Sequence, residues 1–320
     1  MSGKCNKSEC GAPEIRCHDD YDDYKDCPNF ILDAPEKKTK KEKPRDEGKK
    51  SNLSWTGQAF SLDEISLVSA RTSPIMIGVV GKADAGKTTF LAMVYTLLLN
   101  GKKLKDYDFA GTKTILGWDE LYHQLKFKQG NVPFPSPTPV GSNRLFHFAL
   151  RNKEEQLKDI LFSDASGEVF SLWSINRDDE NAESARWIYA NSNAFMLFID
   201  CQALIDKQNS AKREIMRIAK ALTHDLNGRP VIAVWSKADR KGEIIPSIKH
   251  TLQTELAKLF STYHEIEISN FLEPGPDKLV HENNLAAIDW LLEKILLPSN
   301  SDLTLAETNS DDLFINYKGI

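Results

Sequence analysis

The sequence has no long hydrophobic run, no excess of basic residues, and only one cysteine beyond its first thirty residues. Its longest apolar stretches have the length of buried strands, so we expect neither a membrane span nor a signal peptide. The 41 basic and 46 acidic side chains give a formal charge of −5, which argues against general nucleic-acid binding. These absences predict a cytoplasmic protein whose 320 residues form one sizeable core with appendages and no internal repeat.

The four remaining cysteines are concentrated at the N-terminus, at Cys5, Cys10, Cys17 and Cys27. Because disulfides are rare in the cytoplasm, four thiols in a short polar segment favour a zinc site, with His18 as a substitute ligand. Their spacing lacks paired Cys-x-x-Cys knuckles, so a loosely ordered or redox-active tail is the alternative. Cys201, in contrast, follows an apolar strand pattern and is expected to be inert core.

The composition divides the chain into four predicted regions. Residues 1–34 form the Cys-rich module, and residues 35–52 form a linker with charges of both signs and no large apolar residue. Residues 53–298 carry the alternating strand and helix patterns, and residues 299–320 form an acidic, flexible tail. The linker is rich in lysine, but we interpret it as a solvated tether rather than a nucleic-acid contact.

An apolar strand at residues 76–80 runs directly into the pattern Gly81-x-x-x-x-Gly86-Lys87-Thr88 and then into a helix. In this pattern, successive backbone N–H groups surround a phosphate, and the helix N-terminus adds its positive dipole end. Lys87 would reach the β- and γ-phosphates, and the Thr88 hydroxyl would ligate Mg²⁺. The sequence therefore predicts a nucleoside triphosphate bound by Gly81, Asp84, Ala85, Gly86, Lys87, Thr88 and Thr89.

A strand at residues 157–163 leads into Asp164, which is followed by Ala-Ser and then by Gly167 and Glu168. An aspartate at the carboxyl end of a strand can hold Mg²⁺ through water. Gly167 lets a backbone N–H approach the γ-phosphate, because glycine places no side chain in the way. Asp164 and Gly167 are therefore expected to complete the phosphate side of the site.

A later apolar strand, at residues 231–235, ends in Ser236-Lys237-Ala-Asp239. The Asp239 carboxylate can accept hydrogen bonds from N1–H and the exocyclic amine of guanine, a pair of donors that adenine lacks. Lys237 would lie along the base and the ribose. Coming after the other two motifs, this loop favours guanine over adenine.

Residues 74–297 resemble the TRAFAC-class P-loop GTPases, the Ras-like and translation-factor-like proteins, through these three motifs. Ser236 stands where that family has Asn or Thr, and this departure implies only moderate affinity for guanine. Ser269 occupies the place of the family's last base-contacting loop. The resemblance implies a GTPase that binds GTP or GDP with Mg²⁺ at the carboxyl ends of the strands.

The resemblance also implies a threonine whose hydroxyl and carbonyl close over Mg²⁺ and the γ-phosphate. Thr112 and Thr138 are the candidates. In Ras-like proteins this threonine lies shortly before the second strand, here at residues 144–150, which we expect to pair as a hairpin with the strand at residues 157–163. That order favours Thr138, although a plain threonine in a proline-rich surface loop is the alternative.

Glu168 stands where Ras-like proteins have the glutamine that orients the attacking water. A glutamate could orient or deprotonate water, but its charge is unfavourable near a γ-phosphate unless a cation intervenes. Asp84 resembles the elongation-factor-like position and implies a K⁺ or Na⁺ site, with a simple loop cap as the alternative. Arg177 and Arg186 are candidate arginine fingers that look like ordinary surface-helix arginines. We therefore expect slow intrinsic hydrolysis, with Lys87, Thr138, Gly167 and Glu168 as the catalytic residues.

The order of elements predicts a doubly wound, mostly parallel α/β sheet. A long connection before the second strand contains a predicted helix at residues 118–128, with Trp118 and Leu121 as core rather than ligand-binding residues. The remaining predicted elements are strands at residues 195–200 and 265–269 and helices at residues 86–100, 209–224, 245–263 and 285–297.

Three stretches, at residues 109–118, 130–138 and 164–168, resemble the bacterial double-GTPase group. That resemblance implies a nucleotide-dependent switch that acts beside effector or regulatory proteins of the same system, in conflict or antiphage (antiviral) defence. The alternatives are an ATP-hydrolysing P-loop enzyme and a scaffold that binds nucleotide without turnover.

Overall fold

The computed structural model describes residues 3–10, 14, 17–19, 21–32, 56–69, 73–125, 143–270 and 278–296. The chain divides into two compact units, Met1–Ser54 and Trp55–Ile320. In the first unit, strand β1 (Gly3–Cys5) pairs antiparallel with strand β2 (Phe30–Leu32). The predicted linker after residue 35 and the predicted tail lie outside the described residues.

The described part of the second unit contains seven further strands: β3 (Ile75–Val80), β4 (Tyr107–Gly111), β5 (Asn143–Asn152), β6 (Leu157–Ala165), β7 (Ala194–Asp200), β8 (Val231–Ser236) and β9 (Tyr263–Glu267). They form one sheet in the order β4-β5-β6-β3-β7-β8-β9. Strands β6, β3, β7, β8 and β9 are parallel, whereas β5 runs antiparallel to both β4 and β6. Every residue of β3 and β8 is buried, as expected for parallel strands that are covered on both faces.

The helices are α1 (Ser66–Ser69), α2 (Lys87–Leu99), α3 (Ile115–Leu125), α4 (Gly167–Ile175), α5 (Glu183–Asn191), α6 (Cys201–Lys207), α7 (Asn209–Thr223), α8 (Pro246–Leu259) and α9 (Asn283–Leu296). One apolar core packs α4 to α8 against one face of the sheet, and a second core packs α2, α3 and α9 against the other. This arrangement confirms the predicted doubly wound α/β fold. Among the helices that the structure describes, none is long and apolar enough to cross a bilayer.

Two local predictions are confirmed. Strands β5 and β6 form the expected hairpin, in which Phe146 pairs with Phe162. The Trp118 indole packs in the core between the rings of Tyr95 and Phe148, at centroid distances of 5.3 and 4.4 Å. Stacked aromatic rings at these distances stabilise a core, so Trp118 is structural, as predicted.

The connection before β5 differs from the prediction in two ways. It contains β4, an edge strand that the sequence analysis missed because its short run ends in small residues typical of a loop. The helix predicted at residues 118–128 begins three residues earlier and is described over Ile115–Leu125, while residues 126–128 lie outside the described residues. Its first turn carries the exposed side chains of Ile115 and Leu116, which do not belong to the apolar stripe that predicted the helix.

The sequence analysis did not predict helices α4, α5 and α6. In addition, the observed bounds of α8 and β9 differ from the predicted ones. Helix α8 ends at Leu259 rather than at residue 263, because Phe260 adopts an extended conformation. Strand β9 then begins at Tyr263, two positions earlier than expected. These shifts leave the order of the predicted strands unchanged.

Candidate functional site

The loop between β3 and α2 turns through two glycines with positive φ. Gly81 has φ +153° and Gly86 has φ +84°, and both conformations favour glycine. A Cβ atom on Gly81 would lie 2.9 Å from the Cβ of Phe198, so β7 leaves no room for a side chain. The loop ends at Lys87, the first residue of a thirteen-residue helix whose N-terminus favours an anion.

Lys87 is a buried cation in this loop. Its ammonium donates hydrogen bonds to the carbonyl oxygens of Gly81, at 3.1 Å, and Lys82, at 2.7 Å. Burial lowers the pKa of Lys87 to about 8, although the charges of Asp164 and Asp84 oppose this shift. A phosphate would stabilise the charged form of this desolvated ammonium, so Lys87 fits the predicted role.

Asp164 lies at the carboxyl end of β6, beside the start of α2. Its carboxylate accepts a hydrogen bond from the Thr88 hydroxyl at 3.0 Å and forms an ion pair with Arg144 of β5 at 2.5 Å. Hydroxyl and carboxylate oxygens are ligands that Mg²⁺ prefers, so Thr88 and Asp164 fit a magnesium site. Arg144 belongs to this site but was missed, because no sequence motif contains it.

Gly167 lies directly against the phosphate loop. A Cβ atom at this position would lie 1.9 Å from the backbone nitrogen of Ala83 and 2.1 Å from the carbonyl carbon of Lys82. Only a glycine permits this approach. Ser166 caps α4 by accepting a hydrogen bond from the Glu168 N–H at 3.3 Å, and the Glu168 side chain is exposed.

The loop after β8 also contacts the phosphate loop. The ammonium of Lys237 donates a hydrogen bond to the Asp84 carbonyl oxygen at 3.2 Å and forms an ion pair with Asp200 at 2.8 Å. Ser236 is buried, and a Cβ on Gly86 would be in van der Waals contact with it, at 3.5 Å from the Ser236 Cβ. The predicted base loop and the predicted phosphate loop are therefore neighbours.

The residues predicted to contact the base lie together. The Ser269 hydroxyl donates a hydrogen bond to the Asp239 carboxylate at 2.5 Å, and Ser269 is buried whereas Asp239 is exposed. Asn284 of α9, which the sequence analysis did not single out, donates a hydrogen bond from its amide to the Asn270 side chain at 2.9 Å. Asn284 is fully buried and thereby supports the loop that carries Ser269.

The structure describes only one of the two candidate switch threonines. The Thr112 hydroxyl donates a hydrogen bond to the His147 carbonyl oxygen at 2.5 Å, which joins the end of β4 to β5. Thr138 lies outside the described residues, so its role stays a prediction. Asp84 is exposed with φ +61°, and the cation site predicted beside it also stays a prediction.

Arg177 and Arg186, the candidates for an arginine finger that look like ordinary arginines in the sequence, lie away from the phosphate loop. Both line a cavity of about 840 Å³ together with Asn193 and Arg229, which precede β7 and β8. This cavity lies at the amino ends of the parallel strands, roughly 20 Å of strand away from the phosphate loop. Arg186 is also engaged locally, because it donates to the carbonyl oxygens of Arg177, at 2.8 Å, and Asp179, at 2.5 Å.

Among the N-terminal cysteines, Cys5 contacts Cys10 and Cys17 contacts Cys27, and Cys5 also lies close enough to Cys27 to interact with it electrostatically. Within the described residues, which include these four, no group of three or more His, Cys, Asp or Glu side chains could hold a metal ion. The structure therefore gives no support to the predicted zinc site. Cys201 is buried, and burial raises its pKa to about 12, which agrees with an inert core residue.

A strand, a phosphate loop and a helix on a doubly wound sheet, with acidic residues at the carboxyl ends of neighbouring strands, define a P-loop nucleotide-binding protein. The family model named Double-GTPase 2 matches residues 75–292. The chain therefore belongs to the Double-GTPase 2 family, and this membership indicates a GTP-binding P-loop domain and, in general terms, GTPase activity. A search of curated proteins gives no match.

Proposed function

We propose that this protein is a guanine-nucleotide switch that hydrolyses GTP slowly with Mg²⁺ and signals to partner proteins. One observation carries the proposal: the Lys237–Asp84 contact joins the predicted base loop to the predicted phosphate loop. A nucleotide needs both loops at once, because its base and its phosphates occupy opposite ends of one ligand. Family membership supports the same assignment.

The phosphate half of the site would use the P-loop backbone and Lys87. Thr88, Asp164 and, by prediction, Thr138 would hold Mg²⁺, which when bound neutralises charge on the phosphate oxygens. Gly167 would present its N–H to the γ-phosphate, since its Cα already lies against Lys82 and Ala83. Binding of the third phosphate would then separate or reorder these two segments, which is the basis of a switch.

The base half of the site would select guanine through Asp239. The Ser269 hydroxyl donates to one Asp239 oxygen and thereby orients the carboxylate. An exposed, oriented carboxylate can accept both guanine donors, whereas adenine offers it no matching pair.

Slow hydrolysis follows from the residues around the γ-phosphate position. Glu168 is exposed, and its acidic side chain is a poor substitute for an amide that orients water beside a phosphate. The proposed K⁺ or Na⁺ site near Asp84 would offset part of this charge. Since this cation would offset charge near the γ-phosphate, hydrolysis should be faster in K⁺ or Na⁺ than in a bulky organic cation.

The double-GTPase family also suggests a biological setting, which we propose as cytoplasmic defence together with effector or regulatory proteins of the same system. The residues that would change with the nucleotide are Gly167 and Thr138. A partner that binds only the GTP state would make contact near α4, since α4 begins at Gly167. Co-purification with proteins of the same system in GTP but not in GDP would test this proposal.

A zinc site in the N-terminal unit is a separate proposal, which rests on the four thiols in one short polar segment. Zinc would require the two pairs to come together into one tetrahedral group. The test is the zinc content of purified protein, compared with Cys17→Ser/Cys27→Ser and with Cys201→Ala as the control. Loss of one equivalent in the double variant alone supports zinc, and zinc-free wild-type protein rules it out.

The decisive experiment for the switch is a titration of wild type and Asp239→Asn with fluorescent GTP and ATP analogues in Mg²⁺. We expect guanine-selective binding that is lost in Asp239→Asn. Asp178→Asn, an exposed aspartate at the opposite edge of the sheet, is the matched control and should bind as wild type. Equal binding of ATP, unaffected by Asp239→Asn, would favour the ATP-hydrolysing alternative. Selective binding without phosphate release would favour the scaffold.

A further inference from the structure

Arg144 holds the carboxylate that the proposed magnesium site needs. Its guanidinium lies 2.5 Å from one Asp164 oxygen, while the Thr88 hydroxyl donates to the other at 3.0 Å. The Asp164 side chain has no exposed surface, whereas that of Arg144 is 28% exposed. The buried anion is thus neutralised by a cation that can reach solvent.

A buried carboxylate is stable as an anion only with a positive partner, because desolvation penalises its charge. Both a guanidinium and Mg²⁺ can supply that charge. Two cations at one carboxylate also repel each other, because both are positively charged and only one negative charge lies between them. Arg144 and Mg²⁺ therefore oppose each other at Asp164.

Arg144 does not use all of its hydrogen-bond donors when it pairs with Asp164. Among the described residues, its Nε atom is buried without a hydrogen-bond partner, which costs free energy. The guanidinium carbon also lies 5.5 Å from the centroid of the Phe146 ring on the same strand while it pairs with Asp164. Arg144 is therefore held beside Asp164 with one of its hydrogen-bond donors unused.

We propose that Arg144 competes with Mg²⁺ for Asp164, so that this arginine sets the Mg²⁺ concentration at which nucleotide binds. The proposal rests on the proposed function, in which Mg²⁺ is held by Thr88 and Asp164 with the nucleotide. Arg144 is a positioning residue: it acts through Asp164, and its removal leaves the ligands themselves in place.

The first test measures the Mg²⁺ concentration that gives half-maximal binding of a fluorescent GDP analogue. In Arg144→Gln this concentration should fall about tenfold, because a charge-assisted hydrogen bond no longer has to be broken. Arg151→Gln is the matched control: Arg151 lies on the same strand, is exposed, and pairs with Glu155 at 3.2 Å. An unchanged or higher Mg²⁺ requirement in Arg144→Gln would overturn the proposal.

The second test needs no nucleotide and measures the melting temperature as Mg²⁺ is added. Arg144→Gln should melt lower than wild type without Mg²⁺ and should be stabilised more by Mg²⁺, whereas Arg144→Gln/Asp164→Asn should not respond. An Mg²⁺ response equal to that of wild type would overturn the competition. If guanine nucleotides fail to bind any variant, the proposed function fails, while this test still decides the role of Arg144. Arg144→Lys keeps the charge without the planar fork, and it should give intermediate values in both tests if Arg144→Gln does not fold.

Discussion

The ammonium nitrogen of Lys237 lies 3.2 Å from the backbone carbonyl oxygen of Asp84. Ser236, at the position where related GTPases have Asn or Thr, directs its hydroxyl to the Ile199 carbonyl oxygen at 3.3 Å instead. The polar tie between the base loop and the phosphate loop is therefore made by the next residue along the chain.

Removing this tie should loosen bound nucleotide. In Lys237→Met the dissociation rate of a fluorescent GDP analogue should rise about tenfold, because one charge-assisted hydrogen bond between the loops is lost. Stopped-flow chase with unlabelled GDP measures the rate. Lys258→Met, an exposed lysine on α8, is the control and should release nucleotide as wild type does. Equal rates in the two variants would show that the loops are held by other contacts.

The buried ammonium of Lys87 should make stability depend on pH. Its folded pKa of about 8 lies below the ordinary value of 10.5, so the unfolded chain binds more protons between these pH values. This site therefore gains stability as the pH rises from about 8 to 10.5, and Lys87→Met should remove that gain. At pH 7, Lys87→Met should raise the free energy of unfolding by on the order of 3 kcal/mol while abolishing nucleotide binding.

Urea denaturation of nucleotide-free protein at pH 7 and at pH 10 measures the Lys87 effect. Lys220→Met, an exposed lysine on α7, is the control and should leave the pH dependence unchanged. A Lys87→Met variant that is less stable than wild type at pH 7 would contradict the prediction.

Gly167→Ala should destabilise the protein, because the new methyl group would meet the backbone of Lys82 and Ala83 at about 2 Å. Overpacking against backbone costs about 1–3 kcal/mol in the free energy of unfolding. Gly242→Ala is the matched control, since a Cβ there meets nothing within 4 Å and its φ is not positive. Thermal denaturation compares the two variants, and similar melting temperatures would mean that α4 can leave the loop at no cost.

The His147–Asp159 pair should contribute strongly to stability. The two residues are 1% and 2% exposed, and the His147 Nε2 lies 3.0 Å from the Asp159 carboxylate. Since the His147 Nδ1 accepts the Lys113 N–H at 2.9 Å, Nε2 carries the proton and donates to Asp159. His147→Leu would remove one hydrogen-bond donor from a buried carboxylate and should lower the free energy of unfolding by about 3–5 kcal/mol.

Two comparisons check this prediction by chemical denaturation. The double variant His147→Leu/Asp159→Leu should recover most of the loss, because no buried charge remains. His123→Leu, in the exposed His123–Asp119 pair of α3, should change stability by less than about 1 kcal/mol. A small effect of His147→Leu alone would show that contacts other than His147 stabilise the Asp159 carboxylate.

Much of this fold follows from local pattern. Apolar runs and turn residues, which act over a few positions, predict three of its features. These are the strand before Gly81, the hairpin of β5 and β6, and the order of the strands along the chain. The edge strand β4 could not be found in this way. It is held by pairing with β5, it contains a register shift near Gly111, and its residues alternate only between partly buried and exposed positions.

The functional site likewise contains residues that could be predicted from the sequence and residues that could not. The residues of the three motifs could be predicted, since each motif combines its chemistry with its own strand and turn. Arg144, Asn284 and the Lys237–Asp84 contact could not, because each depends on two segments that lie far apart along the chain. The position of Arg177 and Arg186 could not be predicted either. The path of α4 and α5 decides at which end of the strands they lie, and the sequence analysis predicted neither helix.

Helix α4 leads from the carboxyl ends of the parallel strands toward their amino ends. Its first residue, Gly167, lies against the phosphate loop, and its Trp173 lines the cavity at the opposite edge. The helix has nine residues and spans about 13 Å of continuous hydrogen-bonded backbone, so a displacement of one end would be transmitted to the other. A nucleotide that displaces Gly167 would therefore also displace the Trp173 ring. Nucleotide binding at the carboxyl ends of the strands would then change the indole fluorescence at their amino ends.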